Sequence, residues 1–360
     1  MSVEPIAYLE WAKLRSQAKI SLSRSGVPDL SLRDLPLALE VGELEISGRN
    51  PYGYEPLLEA IAHRYGVAVE NVVLTQGASQ AIFMVCAGLL EPGDRVVVEK
   101  PAYEPLLSCP RFFHAEIMRL ERRFENNFLV DLDDYRRLLA QGAKLIILTN
   151  LHNPTGVFLN REQIKALVAE AEKAGAYLFI DEIYLEFMSD ELSRSAFGLS
   201  DRVIVASSLT KVYGLGGLRC GWILASPEVA QKMRQLTDYL VVEGVFIGEV
   251  IAARLFPYLD QLRQKNRGWL EANQQLVRNF ITAEPKLSWV EPAGGVVCFP
   301  RLEAGRSGDE FSQRLRLEAE VSVVPGSFFE LREHFRLGYA VSSAQLATAL
   351  EAIHSLLQKW

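Results

Sequence analysis

The sequence predicts an α/β protein whose larger part is a mostly parallel sheet flanked by helices, joined to a smaller α+β unit. From about residue 71 to residue 206, short β-rich runs alternate with amphipathic stretches. This alternation is typical of β-α units around a parallel sheet. The predicted strands are almost uniformly apolar, as expected when helices cover both faces of the sheet. Beyond Pro227 the pattern changes to longer helices and short strands, which indicates the second unit.

The elements of the first region are bounded by local signals. Strands are predicted at residues 71–74, 95–98, 145–148, 177–180 and 203–206. Helices are predicted between them at residues 78–90, 103–112 and 161–174. A Glu-Pro-Gly-Asp turn at residues 91–94 and an Ala-Gly pair at residues 174–175 end the first and the last of these helices.

The second unit has a different pattern. Much of residues 257–281 is predicted to be helical, and a final helix is predicted to begin at Ser343. Short strands are predicted between these helices, near residues 286–291, 296–300, 321–324 and 335–340. We therefore predict a large domain over residues 41–250, and a small domain built from residues 1–40 together with residues 251–360.

The bulk composition excludes several classes of protein. A chain of 360 residues with 49% hydrophobic residues is too apolar to be disordered. The net charge of −7 argues against nucleic-acid binding, because phosphate backbones favour a basic surface. There is no secretion signal and no apolar run long enough for a bilayer, so we expect a cytoplasmic protein without a membrane partner. The 4 cysteines and 5 histidines lack metal-ligand spacing, so no metal is expected.

The segment at residues 207–221 combines a lysine, several hydroxyls and an arginine with closely spaced glycines. A lysine amine can form a Schiff base with an aldehyde, while hydroxyls and a guanidinium can bind a phosphate. The candidate cofactor is therefore pyridoxal 5'-phosphate (PLP), with Lys211 as the nucleophile. Alone, the segment could equally be a loop between two strands. A dinucleotide site is disfavoured, because Arg219 stands where the third glycine of its fingerprint should fall.

Polar residues follow three of the predicted strands, where a parallel sheet places its functional loops. The turn at Gly77 opens a helix whose free N–H groups could bind a phosphate. Asn153 precedes a proline turn and could donate a hydrogen bond to a phenolate oxygen. Asp181 ends a buried strand, where a carboxylate needs a cationic partner such as a protonated pyridine nitrogen. Taken singly, each has an ordinary explanation as a helix cap, a turn or a sheet-edge carboxylate.

Taken together, these motifs form one ordered set along the chain. The Asn-Pro-Thr-Gly that begins at Asn153, the Asp-Glu-Ile-Tyr that begins at Asp181, and Ser208-x-x-Lys211 with Arg219 stand in this order. They resemble the signature set of class I/II aminotransferases, which are PLP-dependent enzymes of fold type I. The resemblance covers essentially the whole chain. It implies an aspartate-aminotransferase-like fold with a seven-stranded-type sheet, and a homodimer with active sites at the subunit interface.

The resemblance also implies a role for each matching residue. Lys211 would bind the cofactor covalently and Asp181 would pair with its pyridine nitrogen. Asn153 and Tyr184 would bind the phenolic oxygen. Tyr103 would stack on the ring, although ordinary core packing would also explain an aromatic residue there. The remaining cofactor-binding residues would hold the phosphate: Gly77, Ala78, Ser79, Ser208 and Arg219.

Near the C-terminus, the stretch Phe-Arg-Leu-Gly-Tyr-Ala at residues 335–340 looks like the family's strand with the substrate-binding arginine. The resemblance implies that Arg336 binds the α-carboxylate of an amino acid, for which a bidentate guanidinium is well suited. Gly26 and Asn153 would lie near that carboxylate. The ordinary alternative is an edge-strand arginine in water.

Two features depart from the family pattern. The family's tyrosine that reaches the partner subunit's phosphate aligns with Gly48, so that contact would depend on Tyr52 as a substitute. Between residues 239 and 259 the only arginine is Arg254, which has no family motif around it. A preference for dicarboxylic amino acids is therefore not supported.

The leading hypothesis is transamination between an L-amino acid and a 2-oxo acid. The same residues would also serve a β-eliminating carbon–sulfur lyase or a cyclising enzyme, because all three begin with removal of the Cα proton. Two other classes are disfavoured. A cofactor-sensing regulator usually carries a DNA-binding module ahead of this domain, and the region before Ser25 is too short for one. A nicotinamide dehydrogenase needs the missing glycine fingerprint.

Overall fold

The computed structural model describes residues 3–37 and 41–359 of the chain, except for the side chain of Val41. The strands in these ranges are β1 Ile20–Ser21, β2 Val72–Thr75, β3 Arg95–Lys100, β4 Glu116–Glu121, β5 Ala143–Thr149, β6 Tyr177–Asp181, β7 Val203–Ser208, β8 Gly221–Leu224, β9 Leu287–Ser288, β10 Val297–Cys298, β11 Arg301–Leu302, β12 Val321–Ser322, β13 Val324–Pro325 and β14 Phe335–Gly338. The helices are α1 Ala7–Leu14, α2 Glu55–Tyr65, α3 Ala78–Leu89, α4 Pro105–Phe112, α5 Leu132–Leu139, α6 Arg161–Lys173, α7 Pro227–Leu240, α8 Phe246–Leu255, α9 Leu259–Ala283, α10 Gly308–Ala319 and α11 Ser343–Gln358.

A seven-stranded sheet with the order β2-β8-β7-β6-β5-β3-β4 forms the centre of the protein. All neighbouring strands are parallel except β8, which runs antiparallel to both β2 and β7. The predicted α/β class and the mostly parallel sheet are therefore confirmed. Two strands were not predicted: β4, which has glutamates at both ends, and β8, which begins at the last residue of the glycine-rich segment 207–221.

Apolar side chains pack on both faces of this sheet and form two separate hydrophobic clusters. A third cluster joins Leu22 to side chains between Val277 and Leu357, and so connects the N-terminal segment to the C-terminal elements. This third cluster agrees with the predicted division into domains, which stays a prediction. The predicted boundary at residue 40 adjoins residues 38–40, which lie outside the described residues.

The sheet register brings the polar strand ends together. Asp181 at the end of β6 pairs with Thr149 at the end of β5 and with Ala206 in β7. Because parallel strands end at the same edge of a sheet, the loops after β5, β6 and β7 share one side of the molecule. The predicted strands near the C-terminus are also present, but β10, β12 and β13 each span only two residues.

No helix among the described residues has the length and apolar character needed to cross a membrane. No group of three or more histidine, cysteine, aspartate or glutamate side chains in residues 3–37 and 41–359 is arranged to hold a metal ion.

Candidate active site

A cavity of about 610 Å³ opens at the carboxyl ends of the central strands. The sequence-predicted residues that line it are Gly26, Gly77, Ala78, Ser79, Tyr103, Asn153, Asp181, Tyr184, Lys211 and Arg219. The N-terminal segment closes the cavity from the other side, through residues of α1 and of the stretch 16–29. The structure therefore brings together side chains from five separate loops of the sheet and from the N-terminus.

Lys211 lies half-buried in this cavity. Its Nζ donates a hydrogen bond to Ser25 Oγ at 3.0 Å. Burial and the nearby positive charge of Arg336 lower the pKa of Lys211 to about 8, although Asp181 acts in the opposite direction. Gly26 packs directly on this lysine, since a Cβ at Gly26 would lie 3.1 Å from Lys211 Cδ. At pH 7 a larger fraction of this amine is therefore neutral, and nucleophilic, than for an ordinary lysine.

Asp181 lies at the end of β6 and is 4% exposed. Burial raises the pKa of Asp181 to about 6, and the hydrogen bond from the backbone N–H of Ile183 at 3.0 Å offsets part of that effect. The positive charge of Lys211 also favours the ionised carboxylate. A cationic group placed beside Asp181 would lower its pKa and compensate its buried charge.

Two tyrosines line the same cavity. Tyr184 follows Asp181 on the chain, and its hydroxyl is hydrogen-bonded to Ser25. Tyr103 precedes α4, and its ring meets the ring of Tyr8 edge-on, with 5.7 Å between the centroids. Burial raises the pKa of both Tyr103 and Tyr184, so both phenols keep their protons at neutral pH. They can therefore donate hydrogen bonds and offer a flat surface to a ring.

The turn before α3 forms a cradle for an anion. Gly77 has a φ of +82°, and α3 begins at Ala78 without any side-chain cap, so the first N–H groups of the helix have no intrahelical partner. Arg219 lies over this turn, and its guanidinium donates to the backbone oxygen of Gln76 at 2.6 Å. A Cβ at Gly77 would lie 2.8 Å from Arg219 Nη2, so a side chain there would displace the guanidinium from the cradle. Ser79 is exposed at the same helix end.

Ser208 has a different position from the other predicted phosphate-binding residues. It is 1% exposed and is absent from the cavity wall. Its Oγ accepts a hydrogen bond from the N–H of Thr210 at 3.3 Å. In this arrangement Ser208 shapes the loop that leads to Lys211.

Arg336 is fully buried on β14, the central strand of the small sheet β10-β14-β13. Its guanidinium donates to Asn153 Oδ1 at 3.0 Å, to the hydroxyl of Tyr8 at 2.9 Å and to the backbone oxygen of Ser23 at 2.9 Å. Its Nε has no partner, and no carboxylate of the described residues pairs with it. The alternative of an edge-strand arginine in water is therefore wrong. A buried cation without a counter-ion is costly, and a bound anion would remove that cost.

A buried ion pair lies beneath the loop that carries Asn153. Glu99 and Arg122 are both fully buried, with Glu99 Oε2 2.6 Å from Arg122 Nη1. The other carboxylate oxygen of Glu99 accepts hydrogen bonds from the backbone N–H and the hydroxyl of Thr149, at 2.7 and 2.6 Å. The Thr149 hydroxyl in turn accepts from the N–H of Asn153 at 3.2 Å. This chain of bonds fixes the start of the Asn153 turn.

Several residues that contact the predicted site residues were not predicted from the sequence. Ser25 contacts Lys211 and Tyr184, while Tyr8 contacts Arg336, and neither lies in a recognisable motif. Their partners lie far away along the chain, so no local pattern could have revealed them. Glu99 had a weak signal, because a charged residue inside an apolar strand needs a partner.

The two departures noted in the sequence also have structural counterparts. Tyr52 is 44% exposed, and its hydroxyl donates to Asp238 Oδ2 at 3.1 Å. Tyr52 and Arg219 line the same small depression beside the cradle. A tyrosine at position 48 would not fit, since a Cβ at Gly48 would overlap the ring of Phe246 at 2.2 Å.

Comparisons with known proteins extend these observations. The profile of the family "Aminotransferase class I and II" matches residues 33–353. Capreomycidine synthase of Streptomyces vinaceus is 32% identical over 365 residues, which cover 97% of this chain and 93% of that protein. Aspartate aminotransferase of Pyrococcus horikoshii is 28% identical over 320 residues, which cover 85% of this chain and 82% of that protein.

Solved structures give the same result for the fold. A PLP-dependent aminotransferase from Streptococcus suis superposes with a TM-score of 0.88 and 29% identity, over 100% of this chain and 99% of that one. The PLP-dependent cyclase OrfR superposes with a TM-score of 0.91 and 26% identity, over 100% of this chain and 98% of that one.

Proposed function

Because the chain belongs to the class I and II aminotransferase family and is thus a PLP-dependent enzyme, we propose that it transfers an amino group between an L-amino acid and a 2-oxo acid. The cavity supports this proposal, since it offers a lysine amine, a buried carboxylate, flat aromatic surfaces and an anion cradle within one space.

The residues present fit the cofactor. The cradle at Gly77, Ala78, Ser79 and Arg219 suits a phosphate, because the free N–H groups at the start of α3 lie beside a guanidinium that has no carboxylate partner. We assign the ring to the space between Tyr103 and Asp181, and its phenolic oxygen to Asn153 and Tyr184. Ser208 would act on the phosphate only through its loop.

PLP supplies a carbonyl for the substrate amine, and a ring that accepts the electron pair left at Cα. Within that chemistry, Lys211 would take the Cα proton on Nζ and return it to the carbon that the PLP carbonyl contributes. Its lowered pKa suits this role, because the base must be unprotonated near neutral pH. The hydroxyl of Ser25 accepts a hydrogen bond from Nζ and so helps to orient the amine in the cavity. Asp181 would hold a negative charge beside the ring nitrogen.

The single observation that carries the proposal is the buried, uncompensated guanidinium of Arg336. An amino acid substrate brings an α-carboxylate, which is the anion that a guanidinium binds best. Asn153 links the two parts of the site, because it accepts a hydrogen bond from Arg336 while its side chain also lines the cofactor space. Substrate orientation and cofactor binding are therefore coupled through one amide.

The decisive experiment compares product formation with and without an amino acceptor. The PLP-loaded protein is incubated with single L-amino acids, and the oxo acid, ammonia and any cyclic product are measured. We expect the donor's 2-oxo acid beyond one equivalent per site only when pyruvate or 2-oxoglutarate is present. Lys211→Ala should abolish this turnover, and Arg336→Gln should reduce kcat/KM by about 100-fold. Pyruvate and ammonia formed without acceptor would contradict transamination.

A second candidate is cyclisation of an amino acid on the same site. Cyclisation is favoured by the likeness to capreomycidine synthase, whose match covers 97% of this chain, and to the cyclase OrfR, whose match covers 100% of it. Loss of the Cα proton begins that reaction too, so Lys211 would keep its role. A cyclic product that forms without acceptor, in the experiment above, would support this candidate over transamination.

A dicarboxylic substrate is not supported by the charges around the cavity. Arg254 is absent from the cavity wall and donates instead to the backbone oxygen of Glu43 at 3.4 Å. Arg24 lines the cavity but already forms an ion pair with Asp29. We therefore propose a substrate whose side chain carries no second carboxylate.

We further propose a homodimer in which Tyr52 of one subunit reaches the phosphate site of the other. Tyr52, Val242 and Val245 are exposed and line the depression that contains Arg219, so a second chain would cover an apolar surface there. The cytoplasmic location also stays a proposal. The four cysteines are free thiols in the structure, as in proteins of reducing compartments.

A further inference from the structure

Tyr8 lies between Arg336, which we assign to the substrate carboxylate, and Tyr103, which we assign to the cofactor ring. Its hydroxyl is 2.9 Å from Arg336 Nη2, and its ring contacts Tyr103 edge-on at 5.7 Å. Tyr8 lines the cavity, whereas Arg336 is fully buried and is absent from the cavity wall. A carboxylate in the cavity therefore meets Tyr8 and Asn153 before it meets the guanidinium.

The hydrogen-bonding capacity of Tyr8 is only half used. A guanidinium can only donate, so the Tyr8 oxygen accepts from Arg336 and keeps its own proton available. No acceptor for that proton is found among residues 3–37 and 41–359. A phenol polarised by a guanidinium is a strong donor to a carboxylate.

The position of Tyr8 is fixed by the rest of the fold. The backbone N–H groups of Ala7 and Tyr8 donate to the two carboxylate oxygens of Glu104, at 3.1 and 2.6 Å. The Tyr8 ring also packs against Phe328 and Phe329, with 5.8 Å between the centroids in each case. These contacts anchor α1 and hold the hydroxyl within hydrogen-bond distance of Arg336.

We propose that Tyr8 is a substrate-binding residue. Its hydroxyl donates a hydrogen bond to the α-carboxylate, while Arg336 supplies the positive charge. This inference rests on the proposed function, because it needs an amino acid in the cavity. It makes α1, which lies outside the matched family segment, part of the carboxylate site. It also distinguishes amino acids from amines, since only the former offer an acceptor for this proton.

The test measures binding of two probes to the PLP-loaded protein through the change in its visible absorption. The probes are 2-methylalanine and isopropylamine, which differ in the carboxylate. The variant Tyr8→Phe removes one hydroxyl and keeps the ring. The control is Tyr135→Phe, which removes a hydroxyl that donates to the backbone oxygen of Leu167, away from the cavity. Thermal unfolding of each variant is recorded alongside.

We expect Tyr8→Phe to weaken the binding of 2-methylalanine about tenfold, as for loss of one hydrogen bond to a charged group. The affinity for isopropylamine should change by less than about twofold. Tyr135→Phe should change neither. Equal weakening of both probes would show a structural role and overturn the inference. So would unchanged binding of 2-methylalanine in a protein that otherwise responds normally. If the unaltered protein shows no response to either probe, the proposed function fails, and the role of Tyr8 fails with it.

Discussion

The amine of Lys211 donates a hydrogen bond to the hydroxyl of Ser25 at 3.0 Å, although the two residues are 186 positions apart. The same serine hydroxyl contacts Tyr184. Ser25 thus connects the N-terminal segment to two residues that follow strands of the central sheet. The neighbouring backbone strengthens this connection, since the N–H of Val27 donates to the backbone oxygen of Lys211 at 2.9 Å.

The first prediction concerns the protonation of Lys211 in the cofactor-free protein. Its pKa is lowered to about 8, so the neutral amine should appear as the pH rises through 8, well below the value of about 10.4 for a free lysine. The measurement is the rate of modification by trinitrobenzenesulfonate against pH, followed for the peptide of Lys211. Arg336→Gln removes a positive charge nearby and should move the midpoint upward. A midpoint near 10 in the unaltered protein would contradict the burial of this amine.

The second prediction concerns the buried carboxylate of Asp181. Its pKa is raised to about 6, so the folded cofactor-free protein binds this proton more tightly than the unfolded chain. Stability contributed by this group is therefore present below about pH 4 and is lost as the pH rises through 6. Asp181→Asn should then raise the free energy of unfolding at pH 7.5 by up to about 3 kcal/mol, and by nothing at pH 3.5. Urea unfolding of the variant and the unaltered protein at the two pH values measures this difference in the free energy of unfolding.

The same substitution should have the opposite effect on the cofactor. The neutral amide in Asp181→Asn cannot compensate a protonated ring nitrogen, so PLP should bind at least tenfold more weakly. Glu182→Gln is the matched control, because Glu182 is also buried but its carboxylate accepts from the N–H of Ala196, away from the cavity. If both variants lose PLP equally, the special role of Asp181 is wrong.

The third prediction tests the anion cradle with a pair of glycines. Gly77→Ala places a Cβ 2.8 Å from Arg219 Nη2, whereas a Cβ at Gly175 meets nothing within 4 Å. Both glycines have a positive φ, of +82° and +69°, but the ψ of 172° at Gly77 lies in a region that essentially only glycine adopts, so Gly77→Ala also carries a backbone cost, which thermal unfolding of both variants measures separately. Only Gly77→Ala should weaken PLP binding, and equilibrium dialysis should show a loss of affinity of about tenfold or more. An equal loss for Gly175→Ala would assign the effect to backbone strain.

The fourth prediction tests the proposed contribution of Tyr52 across a dimer. Tyr52→Phe should weaken PLP binding about tenfold, because the variant loses a hydrogen bond to the phosphate. Asp238→Ala also breaks the bond between Tyr52 and Asp238 but keeps the phenol, so it should not weaken PLP. Sedimentation velocity should show a dimer for both variants. A monomeric unaltered protein with full PLP affinity would exclude this contact.

Local patterns in the sequence were sufficient for the α/β class and for most strands of the sheet. The apolar runs that became β5, β6 and β7 and the turn that opens α3 could be predicted, because periodicity and turn chemistry are set by neighbouring residues. The edge strand β4 and the antiparallel strand β8 could not, since only pairing with strands distant along the chain stabilises them.

The sequence by itself determined the candidate residues for the chemistry, since Lys211, Asp181 and Asn153 stand in motifs whose spacing is visible along the chain. Only the tertiary structure decided their surroundings. The burial that shifts the pKa of Lys211 and Asp181, and the bonds from Ser25 to Lys211 and from Arg336 to Tyr8, depend on segments that meet after the chain has folded. Desolvation and hydrogen bonding act over a few ångströms of space, and separation along the sequence does not record that distance.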